Sequence, residues 1–250
     1  MADLPVSAAL AASSFRLQPG AFDAAIIDLD GTMVDTVGDF VAAINLMLAD
    51  IRASASRACM VDAASVQFMV GKGSEHLIKS VLNHVAAQAK SAQDAIYSVA
   101  LYPLAFARYQ HHYSTINGQY SALYPGVLEG LMGLAATGLK LACVTNKPVV
   151  FAKQLLQHKG VDKFFTEVFG GDSFARRKPD PLPLLKTCEA LGSLPARTLM
   201  IGDSSNDAQA ARAAGCPVLL VSYGYNHGQP LREVDADGVI DSLTDLQWLR

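Results

Sequence analysis

The chain has no long apolar run, no block of basic residues and no closely paired cysteines, and each absence removes a class of protein. Without an uninterrupted apolar stretch of about 20 residues, no segment is built to cross a bilayer as a helix. A formal net charge of −3 with no Lys/Arg run longer than three residues argues against a nucleic-acid partner, and neither a nucleic-acid nor a membrane partner is expected. Cys59, Cys143, Cys188 and Cys216 are far apart and form no C-x-x-C pair. They read as free thiols in a reducing compartment, the cytoplasm, rather than as a disulfide framework or a zinc site. The Ala- and Ser-rich start lacks the basic opening and apolar segment of an export signal: Asp3 comes first and Arg16 is its only basic residue. Residues 1–21 are therefore expected to be a flexible tail. No internal repeat is present.

What remains is a chain of 250 residues, 51% hydrophobic, long enough for a large core and a smaller cap. Its most informative stretch is Asp28-Leu29-Asp30-Gly31-Thr32, which follows the apolar run Ala24-Ala25-Ile26-Ile27. Such a run reads as a buried strand of a parallel sheet, and ligands of open α/β sheets bind at the carboxyl ends of strands. Residues i and i+2 on a regular strand share a face. Two carboxylates held so close repel, which raises the pKa of one unless a cation intervenes. Either a divalent cation neutralises them or one acid keeps a proton and serves as general acid/base; both hold if the strand ends between them. Hard oxygen donors favour Mg²⁺. Gly31 permits close approach of a ligand, and Thr32 adds a hydroxyl. A plain polar turn would use the same residue types.

From Thr36 to about Ala122 the pattern is helical. Phe40, Val41, Ile44, Leu46, Met47 and Leu48 fit one amphipathic helix, and Leu77, Ile78, Val81, Leu82 and Val85 another. One or two more are expected between about Ala92 and Tyr113. From Tyr124 onward helices and strands alternate. Strands are expected at Leu139–Val144, around Val168 and Phe169, at Thr198–Ile201, at Val218–Val221 and at Val239-Ile240, with a last helix over Leu243–Leu249. The alternation predicts βαβ units and a parallel sheet. The fold expected is α/β: a Rossmann-like parallel core (22–36 and 123–250) with an inserted all-helical cap (37–122) that hangs over the two acids. Hinges are expected near Val34–Gly38 and Leu123–Gly126.

Three further strand ends carry polar residues. Thr145-Asn146-Lys147-Pro148 puts a hydroxyl and an amide where a helix begins, and helix N-termini favour anions. Lys178 stands in Arg176-Arg177-Lys178-Pro179-Asp180-Pro181, where a fixed ammonium can balance negative charge. Gly202-Asp203-Ser204-Ser205-Asn206-Asp207 puts Asp203 at a strand end and Asp207 at a helix start. A helix cap explains Asp207 alone but explains Asp203 less well.

In this order the four strand ends resemble the motifs of the haloacid dehalogenase-like phosphohydrolases, over a span from about Phe22 to the C-terminus. A narrower resemblance is to the bacterial phosphoglycolate phosphatase branch. It rests on Tyr124-Pro125-Gly126-Val127, Val144 to Pro148, Gly170-Gly171-Asp172, Gly202 to Asp207, Tyr223-Gly224-Tyr225-Asn226 and the cap stretch Val70-Gly71-Lys72-Gly73. Lys72 departs from the small polar residue expected there.

The resemblance implies that Asp28 attacks phosphorus, and that Asp30 protonates the leaving alkoxide and then activates water. It implies Mg²⁺ held by Asp28, Asp203 and the backbone carbonyl of Asp30, with Ser204 and Asp207 in support. Thr145 and Lys178 are implied to hold phosphoryl oxygens, with Gly31, Thr32, Asn146, Gly71 and Lys72 on the substrate side. An acid at Asp30 fits release of an alkoxide from a phosphate ester; a halide leaving group needs none. The substrate expected is a small phosphate ester, 2-phosphoglycolate before sugar phosphates, other small organophosphates or pyrophosphate, and the protein a monomer or homodimer. A receiver-type signalling module also uses Mg²⁺, a phosphorylated Asp, a hydroxyl and a Lys, but Asp30 and the cap argue against it. Lys72 is the expected reader of a substrate carboxylate.

Overall fold

The computed structural model describes residues 15–17, 20–51, 60–88 and 101–248. Strand β1 (Phe15–Leu17) is followed by β2 (Ala24–Ile27) and β3 (Val34–Asp35). Four helices come next: α1 (Val37–Ile51), α2 (Ala63–Gln67), α3 (Ser74–Ala87) and α4 (Tyr102–Ile116). The chain continues through β4 (Ala122–Leu123), α5 (Val127–Ala136), β5 (Lys140–Val144), α6 (Val149–His158), β6 (Glu167–Phe169) and α7 (Leu182–Leu191). It closes with β7 (Thr198–Gly202), α8 (Ser205–Ala214), β8 (Val218–Val221), β9 (Gly238–Ile240) and β10 (Leu246–Trp248).

Six strands form one parallel sheet in the order β6-β5-β2-β7-β8-β9, with Ile27 opposite Cys143 on one side and Ile201 on the other. β2 is therefore central, and its four residues are fully buried. Successive strand residues face opposite sides. Ala25 and Ile27 pack with Leu141, Cys143, Leu199 and Ile201 against Leu131 and Leu134 of α5 and Leu155 and Leu156 of α6. Ile26, Val144, Met200 and Val218 pack on the other side against Leu184 of α7 and Ala208 and Ala211 of α8. Burial on both faces is why these strands read as continuous apolar runs. Burying an Ile or Leu fully contributes about 1.5–3 kcal/mol, so Ile27→Ala in the middle of this layer removes a large share of net stability. α7 and α8 stop at Gly192 and Gly215, both in the left-handed conformation that suits glycine at a helix end.

The four helices α1 to α4 build a separate apolar cluster around Ile44, Met47, Ile78, Leu82, Tyr109 and Tyr113. The two connections to the sheet meet as an antiparallel ribbon, with Val34 opposite Leu123 and Asp35 opposite Ala122. They overlap the stretches Val34–Gly38 and Leu123–Gly126, where hinges were expected. Leu46, expected on an apolar face, points outward at 45% exposure. Residues 92–100 of the stretch where further cap helices were expected, together with Cys59, lie outside the described residues, and α4 runs through the rest of that stretch from Tyr102.

Two expectations at the chain ends differ from the structure. Where a last helix over Leu243–Leu249 was expected, Leu243–Trp248 forms no α-helix: Leu243–Asp245 is a single 3-10 turn, closed by reciprocal bonds between Ser242 and Asp245, and Leu246–Trp248 is strand β10. β10 pairs in parallel with Phe15–Leu17, so part of the segment read as a tail supplies the strand that draws Leu246–Trp248 out of helix. Residues 1–14 and 18–19 lie outside the described residues. No helix among the described residues is long and apolar enough to cross a membrane.

Candidate active site

β2 ends at Ile27, one residue before the first acid. The Asp28 N–H still donates to the Ile201 carbonyl, as a strand residue would. The chain then turns: Met33 and Val34 donate to the Leu29 carbonyl, and Gly31 adopts φ of 85°, a backbone angle that favours glycine. Asp28 and Asp30 therefore do not share a strand face, and each carboxylate meets its own lysine.

Asp28 faces Lys178. The Lys178 ammonium donates to Asp28 Oδ1 at 2.8 Å, to Asp207 Oδ1 at 2.7 Å and to the Val144 carbonyl at 2.6 Å. All three donors are used, and the group is buried. Burial opposes its charge, but Asp207 and Asp28 outweigh that and hold its pKa above the usual value. Asp28 carries the opposite strain: burial lifts its carboxyl to about 7, Lys178 pulls it down, and Asp207 and Asp30 push it up. Asp203 is raised well above the ordinary range, by burial first and then by Asp207 and Asp28.

Asp207 opens α8. Its Oδ2 accepts from the Ser204 hydroxyl at 2.7 Å and from the Ser204 N–H at 3.1 Å, which closes a capping box. Asp203 accepts from the Tyr225 N–H at 2.7 Å and the Thr32 hydroxyl at 3.3 Å. Asp28, Asp203 and Asp207 bring carboxylate oxygens within 4.8 Å of one another, all buried. Three acids around one lysine leave negative charge unbalanced, and an all-oxygen donor set suits a hard divalent cation. The residues fit Mg²⁺. The carboxylate of Asp30 lies outside this group; the ligand expected of Asp30 was its backbone carbonyl.

Asp30 points elsewhere. Its Oδ1 accepts from the Thr36 hydroxyl and from the Lys147 ammonium, each at 2.8 Å. Lys147 is buried and lies over the rings of Phe40 and Tyr113, 4.6 and 5.0 Å from their centroids. These rings come from α1 and α4, so the cap forms the wall on the Asp30 side.

One cavity joins both acids. Thr145, Asn146, Lys147 and Lys178 line it from the sheet side, with Asp203, Ser204, Asn206 and Asp207; Gly71, Gly73, Tyr109 and Tyr113 line it from the cap. The cap loop is clasped to the sheet side through the Gly71 carbonyl, which accepts from Asn146 Nδ2 at 3.0 Å and Asn206 Nδ2 at 3.2 Å. A Cβ on Gly71 would stand 2.7 Å from His227 Cε1, so only glycine seats there.

Three expected substrate contacts do not reach the cavity. Gly31 and Thr32 do not line it; Gly31 lets Asp203 and Tyr225 pack against the backbone, and Thr32 is bonded to Asp203. Lys72 is exposed and absent from the lining, because the loop turns its flanking glycines inward and its side chain out. Conversely, Lys147, Asn206, Tyr109, Tyr113 and His227 line the cavity without having been singled out. Lys147 had a signal, its place in Thr145-Asn146-Lys147-Pro148. The tyrosines had none, since their four-residue spacing fits a helix core equally well.

Residues 25–221 match the family described as haloacid dehalogenase-like hydrolases, and the chain belongs to that family. It is a hydrolase, and its α/β core matches the family's fold. The chain is 43% identical to a phosphoglycolate phosphatase of Thiobacillus denitrificans over 89% of this chain and 92% of that protein. It is 40% identical to a phosphoglycolate phosphatase of Nitrosospira multiformis over 88% and 92%. The crystal structure of a predicted phosphoglycolate phosphatase from Haemophilus somnus superposes with a TM-score of 0.81 at 31% identity, over 90% of this chain and 96% of that one.

Proposed function

We propose that the chain is a Mg²⁺-dependent phosphatase that hydrolyses 2-phosphoglycolate to glycolate and phosphate through phosphorylated Asp28. The observation that carries this reading is the separation of the two acids. Asp28 is tied to Lys178 beside the acidic group, whereas Asp30 is turned to the other side of the same cavity. One acid is thereby arranged as nucleophile and the other as acid/base. The names of the relatives support the substrate.

Asp28 attacks phosphorus with one carboxylate oxygen while Lys178 holds the other. The Lys178 ammonium and the Thr145 hydroxyl hold oxygens of the transferring group. Asp30 gives its proton to the leaving glycolate oxygen, then takes one from the water that cleaves the acyl phosphate. Asp207 keeps Lys178 in position and starts α8. Bound Mg²⁺, held by Asp28 and Asp203 with Asp207 beside them, supplies the charge that lets an anionic nucleophile meet an anionic phosphate. Without it, two unit charges about 4 Å apart repel by roughly 4 kcal/mol at an effective dielectric near 20.

Gly71, Gly73, Tyr109 and Tyr113 of the cap close one side of the cavity. The cap therefore has to swing away to admit substrate, and the ribbon of β3 and β4 is the joint. The buried free thiols of Cys143, Cys188 and Cys216 suit the cytoplasm. The test is phosphate release from 2-phosphoglycolate. Activity is expected with Mg²⁺, lost in EDTA and restored by Mg²⁺, and absent in Asp28→Asn. Metal-independent turnover, or an active Asp28→Asn, would contradict the reading.

A further inference from the structure

Lys147 is a buried cation whose hydrogen-bonding capacity is mostly unused. Its ammonium has three donors, and among the described residues only Asp30 Oδ1 accepts from it. The remaining surroundings are the ring faces of Phe40 and Tyr113. On the same wall the hydroxyls of Tyr109 and Tyr113 are buried without a hydrogen-bond partner among the described residues. Ser74 stands beside the Tyr109 hydroxyl but makes no bond of acceptable geometry with it. Both tyrosines belong to α4, line the cavity, and lie close enough to Asp30 to feel its charge. Unmatched buried donors are rare in folded proteins and call for a reason.

Resting on the phosphoglycolate reading above, we propose that Lys147 and the Tyr109 and Tyr113 hydroxyls form the subsite that binds the carboxylate of the leaving group. An ammonium and two hydroxyls with no partner are a donor set for an anion. The phosphoryl group is already claimed by Thr145 and Lys178 on the Asp28 side. The second anion therefore belongs to the part of the substrate that departs. Lys147 touches Asp30 at 2.8 Å, and Asp30 is the acid that reaches the leaving oxygen. The carboxylate must then lie one or two carbons from that oxygen, which defines the substrate class as phosphate esters of short hydroxy acids. The Phe40 and Tyr113 rings close the space behind it and disfavour a polyhydroxylated sugar. Specificity is thus read by helix α4 and the residue after Asn146, and exposed Lys72 takes no part.

The test compares two esters that differ only in the anion: 2-phosphoglycolate and 2-hydroxyethyl phosphate, in which a hydroxymethyl group replaces the carboxylate. Lys147 also bonds Asp30, so its substitution lowers turnover of both, and the ratio of the two kcat/KM values cancels that shared loss. Lys147→Met is expected to lower the ratio about tenfold or more, and Tyr113→Phe about threefold to tenfold. Lys72→Ala should leave it unchanged. Tyr113→Phe removes one unpartnered oxygen and keeps the ring, so it decides alone should Lys147→Met not fold. A wild-type ratio near one overturns both this subsite and the phosphoglycolate reading. A wild-type preference for the acid that survives in Lys147→Met and Tyr113→Phe overturns the subsite only.

Discussion

Removing Mg²⁺ should make the protein's stability depend on pH in a direction fixed by Asp28. In the metal-free fold, burial holds its carboxyl at about 7 against an ordinary value of 3.8. A raised carboxyl binds its proton more tightly folded than unfolded. It favours folding below pH 3.8, and that advantage declines as pH rises and is gone above about 7. Between about pH 5.5 and pH 8 the further loss from Asp28 alone comes to about 2 kcal/mol. Mg²⁺ bound to ionised carboxylates cancels this penalty, and protons compete with the metal at the lower pH. Saturating Mg²⁺ should therefore stabilise the protein more at pH 8 than at pH 5.5, by about 4–8 °C in Tm for a chain of this size. Asp203, raised for the same reason, adds in the same direction. Thermal unfolding in Mg²⁺ and in EDTA at both pH values measures it, and taking the difference at each pH removes the titration of distant groups. A Mg²⁺ shift equal at both pH values, or larger at pH 5.5, would refute the reasoning.

Other perturbations isolate single parts of the site. Asp28→Asn should remove turnover while Tm in EDTA at pH 8 stays level or rises, because a buried charge is lost; circular dichroism and a phosphate assay check both. Asp30→Asn should lose far more activity on 2-phosphoglycolate than on p-nitrophenyl phosphate, whose leaving group needs little protonation; equal losses would remove Asp30 from proton transfer. Gly71→Ala places a methyl where His227 stands and loads a residue at φ of 102°, so kcat/KM should fall about tenfold or more while the core unfolds at nearly the same temperature. A Gly71→Ala enzyme with unchanged kinetics would show that the cap closes without the Gly71 clasp.

The sheet was legible because parallel strands covered on both faces must be apolar without interruption. Val218–Val221 has the bounds the sequence implied, and Gly192 and Gly215 mark helix ends. Residues at four strand ends were readable as a group because the topology gathers carboxyl ends at one edge of the sheet. Asp28, Thr145, Lys178 and Asp203 line one cavity for that reason. The cap was not legible in the same way. Tyr109 and Tyr113 satisfy an amphipathic pattern whether they fill a core or face a ligand. Lys72 looked well placed between two glycines, yet a loop's flanks do not say which way its middle side chain turns. Leu246–Trp248 was misread because its partner is more than two hundred residues away, beyond any local pattern.

At the centre of this reading, Asp28 takes the phosphoryl group from the ester of a short hydroxy acid, which departs as its own hydroxyl is re-formed. The most direct measurement is kcat/KM with Mg²⁺ over a panel of 2-phosphoglycolate, hexose and pentose phosphates, glycerol phosphate and pyrophosphate. 2-Phosphoglycolate is expected to lead by about tenfold or more, the scale of one buried charge-assisted contact. A sugar phosphate or pyrophosphate ranking above it would contradict the account.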